Sequence, residues 1–320
     1  MRLVRRGSKH KCAEYGAGLK GDFRMRRFLT MLLVFLPLGF AYADDSPTAD
    51  QADALHDKGM YAEARNLLNA ALPDAPDGKE RAELYWREAR ETLELGDVAE
   101  ADKKPQTAIL ALFTEGEGYA DKAIAADPQN DQGYFWKSAN IGRWGQVRGI
   151  LDSLSKAGPM KNLLVKELSL NPERSEAYFV LGQLYREVPG WPLSFGNVDA
   201  AVSLGRKAVE MRRAQVQAGT EKEIVFSFYN ELAKSLHNRD WSAVKRVSEQ
   251  KSKAAKLAAA GTPLEKGSLY EASSDLQNMS DREEAKALVQ FSISELGKLA
   301  DLTAPQAKDL QKARALLKGW

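Results

Sequence analysis

The chain has 320 residues and 44% of them are hydrophobic, which is enough for one large or two small domains with a buried core. Residues 1–43 hold nine of the 46 Lys and Arg and two of the 44 Asp and Glu, which leaves 37 minus 42, or −5, for the remainder. Because this mildly acidic remainder mixes both signs along its length, it has no basic face for nucleic acid or anionic lipid. The charge pattern therefore argues against a nucleic-acid partner.

The N-terminal region has the order of features that is typical of an export signal. Met25-Arg26-Arg27 is basic, the 13 residues Phe28–Phe40 are apolar, and Ala41-Tyr42-Ala43 places small residues before Asp44. A run of this length is shorter than the roughly 20 residues that span a bilayer. The pattern predicts a signal peptide over residues 25–43, cleaved after Ala43. The polar, basic prefix at residues 1–24 fits either an upstream-extended gene start or a long n-region.

Cys12 is the only cysteine and lies in this prefix. Cleavage after Ala43 would leave a protein without thiols, which excludes disulfides, thiolate metal sites and a cysteine nucleophile. It would also leave no cysteine to accept a lipid and no transmembrane anchor. We therefore expect an exported, periplasmic protein that is not lipid-anchored.

Beyond residue 45 the chain is rich in Ala, Leu, Glu, Lys, Arg and Gln, with apolar residues at spacings of three and four. This pattern predicts an all-α fold. Gly59 precedes a helix whose Ala64, Leu68 and Ala71 share one face, and Pro76 follows its end.

A second helical pattern is centred on Gly182. Tyr178, Leu181 and Tyr185 surround this glycine at helical spacing, and Ala201 and Ala208 follow in the next helix. Small residues at these positions let two helices of a hairpin approach closely.

These residues resemble the tetratricopeptide repeat (TPR), whose first helix carries aromatic, Leu, Gly and Tyr residues and whose second carries alanines. The resemblance implies an α-solenoid of antiparallel helix hairpins over residues 44–262. Repeat ends at Pro76, Pro128 and Pro172 are 52 and 44 residues apart. Both intervals exceed the roughly 34 residues of a standard repeat, so each unit carries an insertion or longer helices. We expect Glu94–Pro105 to be a polar insertion between helices.

The C-terminal part is expected to cap the solenoid with three helices over residues 263–320. Ser280–Glu283 has the sequence of a capping box and Pro305 marks another helix start. Upstream, Val188–Asn197 reads as a loop broken by Pro and Gly, before a helix that Asn197 caps.

Two stretches of the sequence resemble a smaller group of proteins within the TPR family. Tyr134–Trp144 and Pro189–Asn197 are similar to features of exported bacterial TPR proteins such as TatT, the partner of tripartite periplasmic (TRAP) transporters. The regulator of microtubule dynamics family has a similar arrangement. The resemblance implies a protein or peptide partner in the cell envelope, with a TRAP-transporter component as one candidate.

Catalytic chemistry has little support in the sequence. After the signal region the histidines are His56 and His237, far apart and without His or Cys companions at ligand spacing. No G-x-S-x-G, phosphate-loop or H-E-x-x-H motif is present. We expect a protein that is not an enzyme and has no cofactor and no metal site.

Aromatic and arginine side chains in the central units are the candidates for partner binding, because Trp and Arg dominate binding energy at protein interfaces. Phe179 and Arg186, together with Gln183, are expected on the inner face of one helix, with Trp191 over them. The alternative is that the aromatic residues fill hairpin cores and the arginines form internal salt bridges. The complete set of candidates is Trp136, Arg143, Trp144, Phe179, Gln183, Arg186, Trp191 and Phe195.

Two functions remain open at this point. The first is a scaffold that binds a protein or peptide in the cell envelope. The alternative is a periplasmic carrier of a small apolar or carboxylate ligand in a cavity of the solenoid. A closed, aromatic-lined cavity would favour the carrier, and an open channel the scaffold. The sequence does not fix the partner or the oligomeric state.

Overall fold

A computed structural model describes residues 47–320 of the chain. The predicted prefix at residues 1–24, the signal peptide at residues 25–43 and Cys12 lie outside this range. Within it, the chain forms α-helices and one short 3-10 helix without any β-strand. The all-α prediction is therefore confirmed for this part of the chain.

The described part contains thirteen α-helices. They are α1 (Pro47–His56), α2 (Tyr61–Ala71), α3 (Lys79–Ala101), α4 (Gln106–Ala126), α5 (Asp131–Arg148), α6 (Ile150–Leu170), α7 (Ser175–Glu187), α8 (Val198–Ala218), α9 (Phe226–Arg239), α10 (Ala243–Ala259), α11 (Pro263–Ser268), α12 (Asp281–Leu296) and α13 (Ala304–Gly319). The 3-10 helix, Tyr270–Ser273, lies between α11 and α12.

Consecutive helices pack as antiparallel hairpins, and the hairpins stack on one another. Helix α3 contacts α1 and α5 as well as its sequence neighbours, and α9 contacts α7, α8, α12 and α13. Because α12 and α13 both pack against α9, residues 263–320 continue the stack at its C-terminal end.

Small residues set the closest helix contacts, as the sequence predicts. Ala64 and Leu68 are fully buried between α2 and its neighbours. At Gly182 an added Cβ would lie 3.2 Å from both Ala201 O and Gly205 N, which are backbone atoms of α8. Helix α7 can approach α8 this closely only without a side chain at position 182.

The prediction of an insertion at Glu94–Pro105 is wrong. Helix α3 continues through this stretch to Ala101, for a total of 23 residues, and only a short turn separates it from α4. The stretch contains strong helix formers, and Leu93 and Gly96 are buried against α4, so packing extends the helix. Longer helices, rather than an insertion, account for the intervals of 52 and 44 residues between the predicted repeat ends.

A buried ionic network joins the C-terminal elements. Its links include Arg239 Nη2 to Asp281 Oδ1 at 2.8 Å and Arg206 Nη1 to Glu284 Oε1 at 2.7 Å. Burial alone would raise the pKa of Glu271, but hydrogen bonds from Arg239 and the charges of neighbouring arginines lower it to about 2. The network connects α8, α9, α10, α12 and the 3-10 helix through Arg206, Arg239, Arg246, Glu271, Asp281 and Glu284.

Candidate functional site

A cleft of about 400 Å³ opens where helices α5 and α6 meet α7, and α9 and α13 contribute to its rim. Its apolar lining is aliphatic and comes from three consecutive helices. These side chains are Ile141 of α5, Leu154, Ala157 and Met160 of α6, and Val180 and Leu184 of α7, with Val188 just after α7. We refer to this site as the cleft.

Glycines bring the α5 and α6 walls of the cleft together. A Cβ at Gly142 would lie 2.9 Å from Met160 Cε, and one at Gly145 would lie 3.1 Å from Ser153 Cβ. Both glycines therefore allow α6 side chains to lie directly on α5. The space that remains faces α7, where Val180 and Leu184 close it.

Three lysines from three different helices reach the rim of the cleft: Lys156 of α6, Lys234 of α9 and Lys312 of α13. Lys156 Nζ is 2.9 Å from Glu117 Oε2, and Lys234 Nζ is 3.1 Å from Glu231 Oε2. Lys312 is exposed and has no carboxylate within ion-pair distance among residues 47–320. The Lys312 ammonium group therefore forms no ion pair within this range, although its charge opposes the rise in pKa that burial gives Asp309 of the same helix.

Arg186 and Glu231 form the polar link below this rim. The Arg186 side chain is only 5% exposed, and its Nη2 lies 2.6 Å from Glu231 Oε2 and 2.7 Å from Glu187 Oε1. Its Nη1 also donates to Glu231 O and Ser235 Oγ of α9. Burial would raise the pKa of Glu231, but Arg186 and Lys234 lower it, so its carboxylate stays charged at neutral pH.

Of the predicted binding residues, Gln183 and Arg186 line the cleft. Arg186 uses its hydrogen bonds to hold α9 through Glu231 and Ser235. This is the internal salt bridge that the sequence left open as the alternative to partner binding. Phe179 does not line the cleft. Its ring stacks on Phe228 with a centroid distance of 4.4 Å, so it packs α7 against α9.

The candidates on α5 lie near the hydrophobic cluster of Leu93, Ile109 and Phe113, between α3 and α4. Trp136 and Trp144 pack there as half-buried side chains, and Lys156 Nζ lies 4.9 Å from the Trp144 ring centroid. Arg143 pairs with Asp97 of α3, where Nε and Oδ1 are 2.6 Å apart. Trp144 adjoins the cleft through Lys156, and Arg143 adjoins it through a hydrogen bond to Gln146, which lines the cleft.

Trp191 and Phe195 belong to the same loop after α7 but have different surroundings. Phe195 packs edge-on against Tyr185 with a centroid distance of 5.2 Å, so it anchors the loop to α7. Trp191 is 89% exposed, which leaves little of its side chain in contact with Gln183 or Arg186. The expected position of Trp191 above these residues is therefore wrong.

The sequence did not predict the three rim lysines, and the reason is physical. Lys156, Lys234 and Lys312 are ordinary solvent-facing residues of helices, and nothing local distinguishes them from other lysines. Lys234 and Lys312 reach the same cleft because α13 packs beside α9, a contact between elements far apart in the chain. The feature that the three lysines share is a position on the rim of one cleft. It depends on long-range packing, so no spacing of residues in the sequence indicates it.

Residues 47–320 contain neither a metal-binding cluster nor a helix that could span a membrane. No group of three or more His, Cys, Asp or Glu residues in this range is arranged to hold a metal ion. No helix in the same range has both the length and the apolar character to cross a bilayer.

Comparison with known proteins matches residues 48–193 to the family model of regulator of microtubule dynamics protein 1-3. The chain is 25% identical over 215 residues to regulator of microtubule dynamics protein 3 of Bos taurus, which covers 62% of this chain and 43% of that protein. It is 26% identical over 132 residues to regulator of microtubule dynamics protein 1 of Mus musculus, which covers 41% of each.

The chain thus spans about two fifths of the length of these relatives. The matched range begins in α1 and ends in the loop after α7, so it includes the α5, α6 and α7 walls of the cleft. Residues 48–193, which are part of the continuous helical stack, are thus distantly similar to the regulator of microtubule dynamics family.

Proposed function

We propose that this protein is a binding scaffold whose cleft receives a segment of a protein partner in the cell envelope. The observation that carries the proposal is the convergence of an aliphatic floor with Lys156, Lys234 and Lys312 on one cavity. Ligand sites commonly combine an apolar lining with a few convergent polar groups. The chemistry suits a segment that pairs an aliphatic side chain with a carboxylate.

The cell-envelope location rests on the signal-like segment at residues 25–43, and a transporter component is the partner class that the resemblance to TatT suggests. The similar relatives are named for an effect on microtubule dynamics. Microtubules therefore belong in the test as a second partner source.

The carrier function is a second candidate because of the size of the cleft. A volume of about 400 Å³ lies in the range of small-molecule sites, roughly 300–1,000 Å³. The aliphatic floor and the rim ammonium groups would suit a small carboxylate. Unlike the expected carrier cavity, however, the lining contains no aromatic side chain among the described residues.

Two charge reversals on the same helix test the cleft. Lys312→Glu changes the rim, whereas Lys308→Glu makes the same change at an exposed position of α13 that does not line the cleft. We expect a partner captured from envelope extract to bind the Lys312→Glu protein about tenfold more weakly or worse, and the Lys308→Glu protein normally. Purified microtubules and a panel of small carboxylates, read by thermal shift, are tested with the same variants.

Equal binding by both variants would refute the role of the cleft. A thermal shift with a carboxylate that Lys312→Glu abolishes, without a captured protein, would favour the carrier function instead.

A further inference from the structure

The loop between α7 and α8 presents two large apolar side chains to solvent. Residues 188–197 contain no charged residue. Trp191 is 89% exposed and Leu193 is 76% exposed, which places them among the most exposed large hydrophobic side chains of residues 47–320. Neither residue lines the cleft. We refer to Trp191 and Leu193 as the apolar tip.

The apolar tip stands on a loop whose backbone is held in place. Leu193 N donates to Gly190 O at 3.1 Å, and Gly196 N donates to Pro189 O at 2.9 Å. At the base, Asn197 N donates to Tyr185 O at 2.8 Å, while the Phe195 ring packs on Tyr185. Because the loop is closed on itself, it cannot easily collapse to bury Trp191 and Leu193.

A cation and a further apolar side chain flank the base of the loop. Lys161 Nζ of α6 lies 4.2 Å from the Phe195 ring centroid. In the described part of the chain, Lys161 has no carboxylate within ion-pair distance. Val165, one turn further along the same face of α6, is also exposed.

We propose that the apolar tip inserts into the interfacial region of a phospholipid bilayer and holds the domain against a membrane surface. Insertion of this uncharged loop would desolvate no ionic group. Tryptophan suits the interface because its ring is apolar and its N–H can reach a polar group. Lys161 can extend its ammonium toward phosphate oxygens while its methylene groups stay beside the loop.

A bilayer fits this surface better than a protein pocket does. A Trp that anchors a protein complex commonly has surrounding contacts that exclude water. Here the two apolar side chains project alone from a narrow loop, which a fluid interface can accommodate without a matching shape. Since residues 44–320 carry 37 Lys and Arg against 42 Asp and Glu, insertion rather than charge attraction would supply most of the binding, as for other apolar interfacial anchors.

Vesicle co-sedimentation of residues 44–320, the chain that the predicted cleavage leaves and that lacks the apolar run Phe28–Phe40, tests this proposal. The vesicles are phosphatidylcholine alone, and equal parts of phosphatidylcholine and phosphatidylglycerol. We expect the wild-type chain to bind both, and the double variant Trp191→Ala, Leu193→Ala to lose at least about tenfold in partition coefficient. Val244→Ala is the matched control, because Val244 is an isolated apolar side chain that is 81% exposed at the start of α10. Its partition coefficient should not change.

Circular dichroism and thermal melting establish that the double variant is folded. Trp191→Phe should keep most of the binding, because the ring remains apolar. Absence of wild-type binding, or equal binding by the wild-type chain and the double variant, would overturn the proposal. If the double variant instead weakens binding of the protein partner captured through the cleft, the apolar tip belongs to a protein interface and the bilayer proposal is wrong. Loss of vesicle binding alone leaves the function of the cleft untouched.

Discussion

Two glycines in α4, two positions apart, have opposite surroundings. A Cβ at Gly116 would overlap the side chain of Asn140, whose Cγ would be 2.6 Å away, whereas a Cβ at Gly118 would meet nothing within 4 Å. Asn140 cannot move aside cheaply, because its Nδ2 donates to Ala89 O and Trp136 O.

We expect Gly116→Ala to lower the free energy of unfolding by about 1–3 kcal/mol through overpacking. Gly118→Ala should raise it by roughly 0.5–1 kcal/mol, because alanine favours the helix. Urea denaturation of both variants measures the difference. Equal effects would show that the contact between α4 and α5 differs from the one described.

Gly182 has a similar role between α7 and α8, and here the neighbouring atoms belong to the backbone. Gly182→Leu should therefore lower the melting temperature and loosen the α7–α8 hairpin, at a cost of about 1–3 kcal/mol or more. Gly118→Leu is the matched control at an open position. An unchanged melting temperature for Gly182→Leu would contradict the close contact.

The sequence predicted Gly182 but not Gly116. Gly182 belongs to a local pattern with Tyr178, Leu181 and Tyr185, so its small size has a visible reason. The partner of Gly116 is Asn140, a polar residue on another helix, and hydrophobic periodicity gives no indication of that contact.

Helices α7 and α9 are joined by one buried ion pair. Arg186 donates to Glu231, and both side chains are almost fully removed from solvent. Removal of one partner leaves the other charge buried, so Arg186→Ala should lower the free energy of unfolding by about 3 kcal/mol.

A double-mutant cycle with Glu231→Ala measures this coupling. We expect the double variant to lose less than the sum of the two single changes, because the charges left without a partner, Lys234 and Glu187, are partly exposed rather than buried. Strict additivity would show that the pair does not join α7 to α9.

Helix ends were predictable where the signal is local. Capping boxes form at Ser280 with Glu283 and at Thr303 with Gln306, and the Asn197 side chain caps α8. The end of α3 was not predictable, because a polar sequence from Glu94 onward can form either a loop or an exposed helix face. Packing against α4, which decides between them, is a tertiary effect.

At the scale of the whole molecule, the buried ionic network makes stability depend on pH. The pKa of Glu271 is lowered from 4.5 to about 2, so the folded state binds fewer protons than the unfolded state between these values. Its contribution is present above about pH 4.5 and is lost as the pH falls toward 2.

We expect the free energy of unfolding to decrease across this interval, and Glu271→Gln to flatten the decrease while it lowers stability at neutral pH. Urea denaturation at several acidic pH values provides the measurement. A Glu271→Gln protein with the wild-type acid profile would show that Glu271 does not carry this dependence.

Hydrogen–deuterium exchange with and without the captured partner tests the central claim, that the cleft is the binding site, most directly. The cleft predicts added protection in the part of α5 and α6 around Ile141 to Met160 and in α7 from Val180 to Val188, with little change in α2 or α10. Protection confined to α2, α10 or other elements that do not line the cleft would contradict the account.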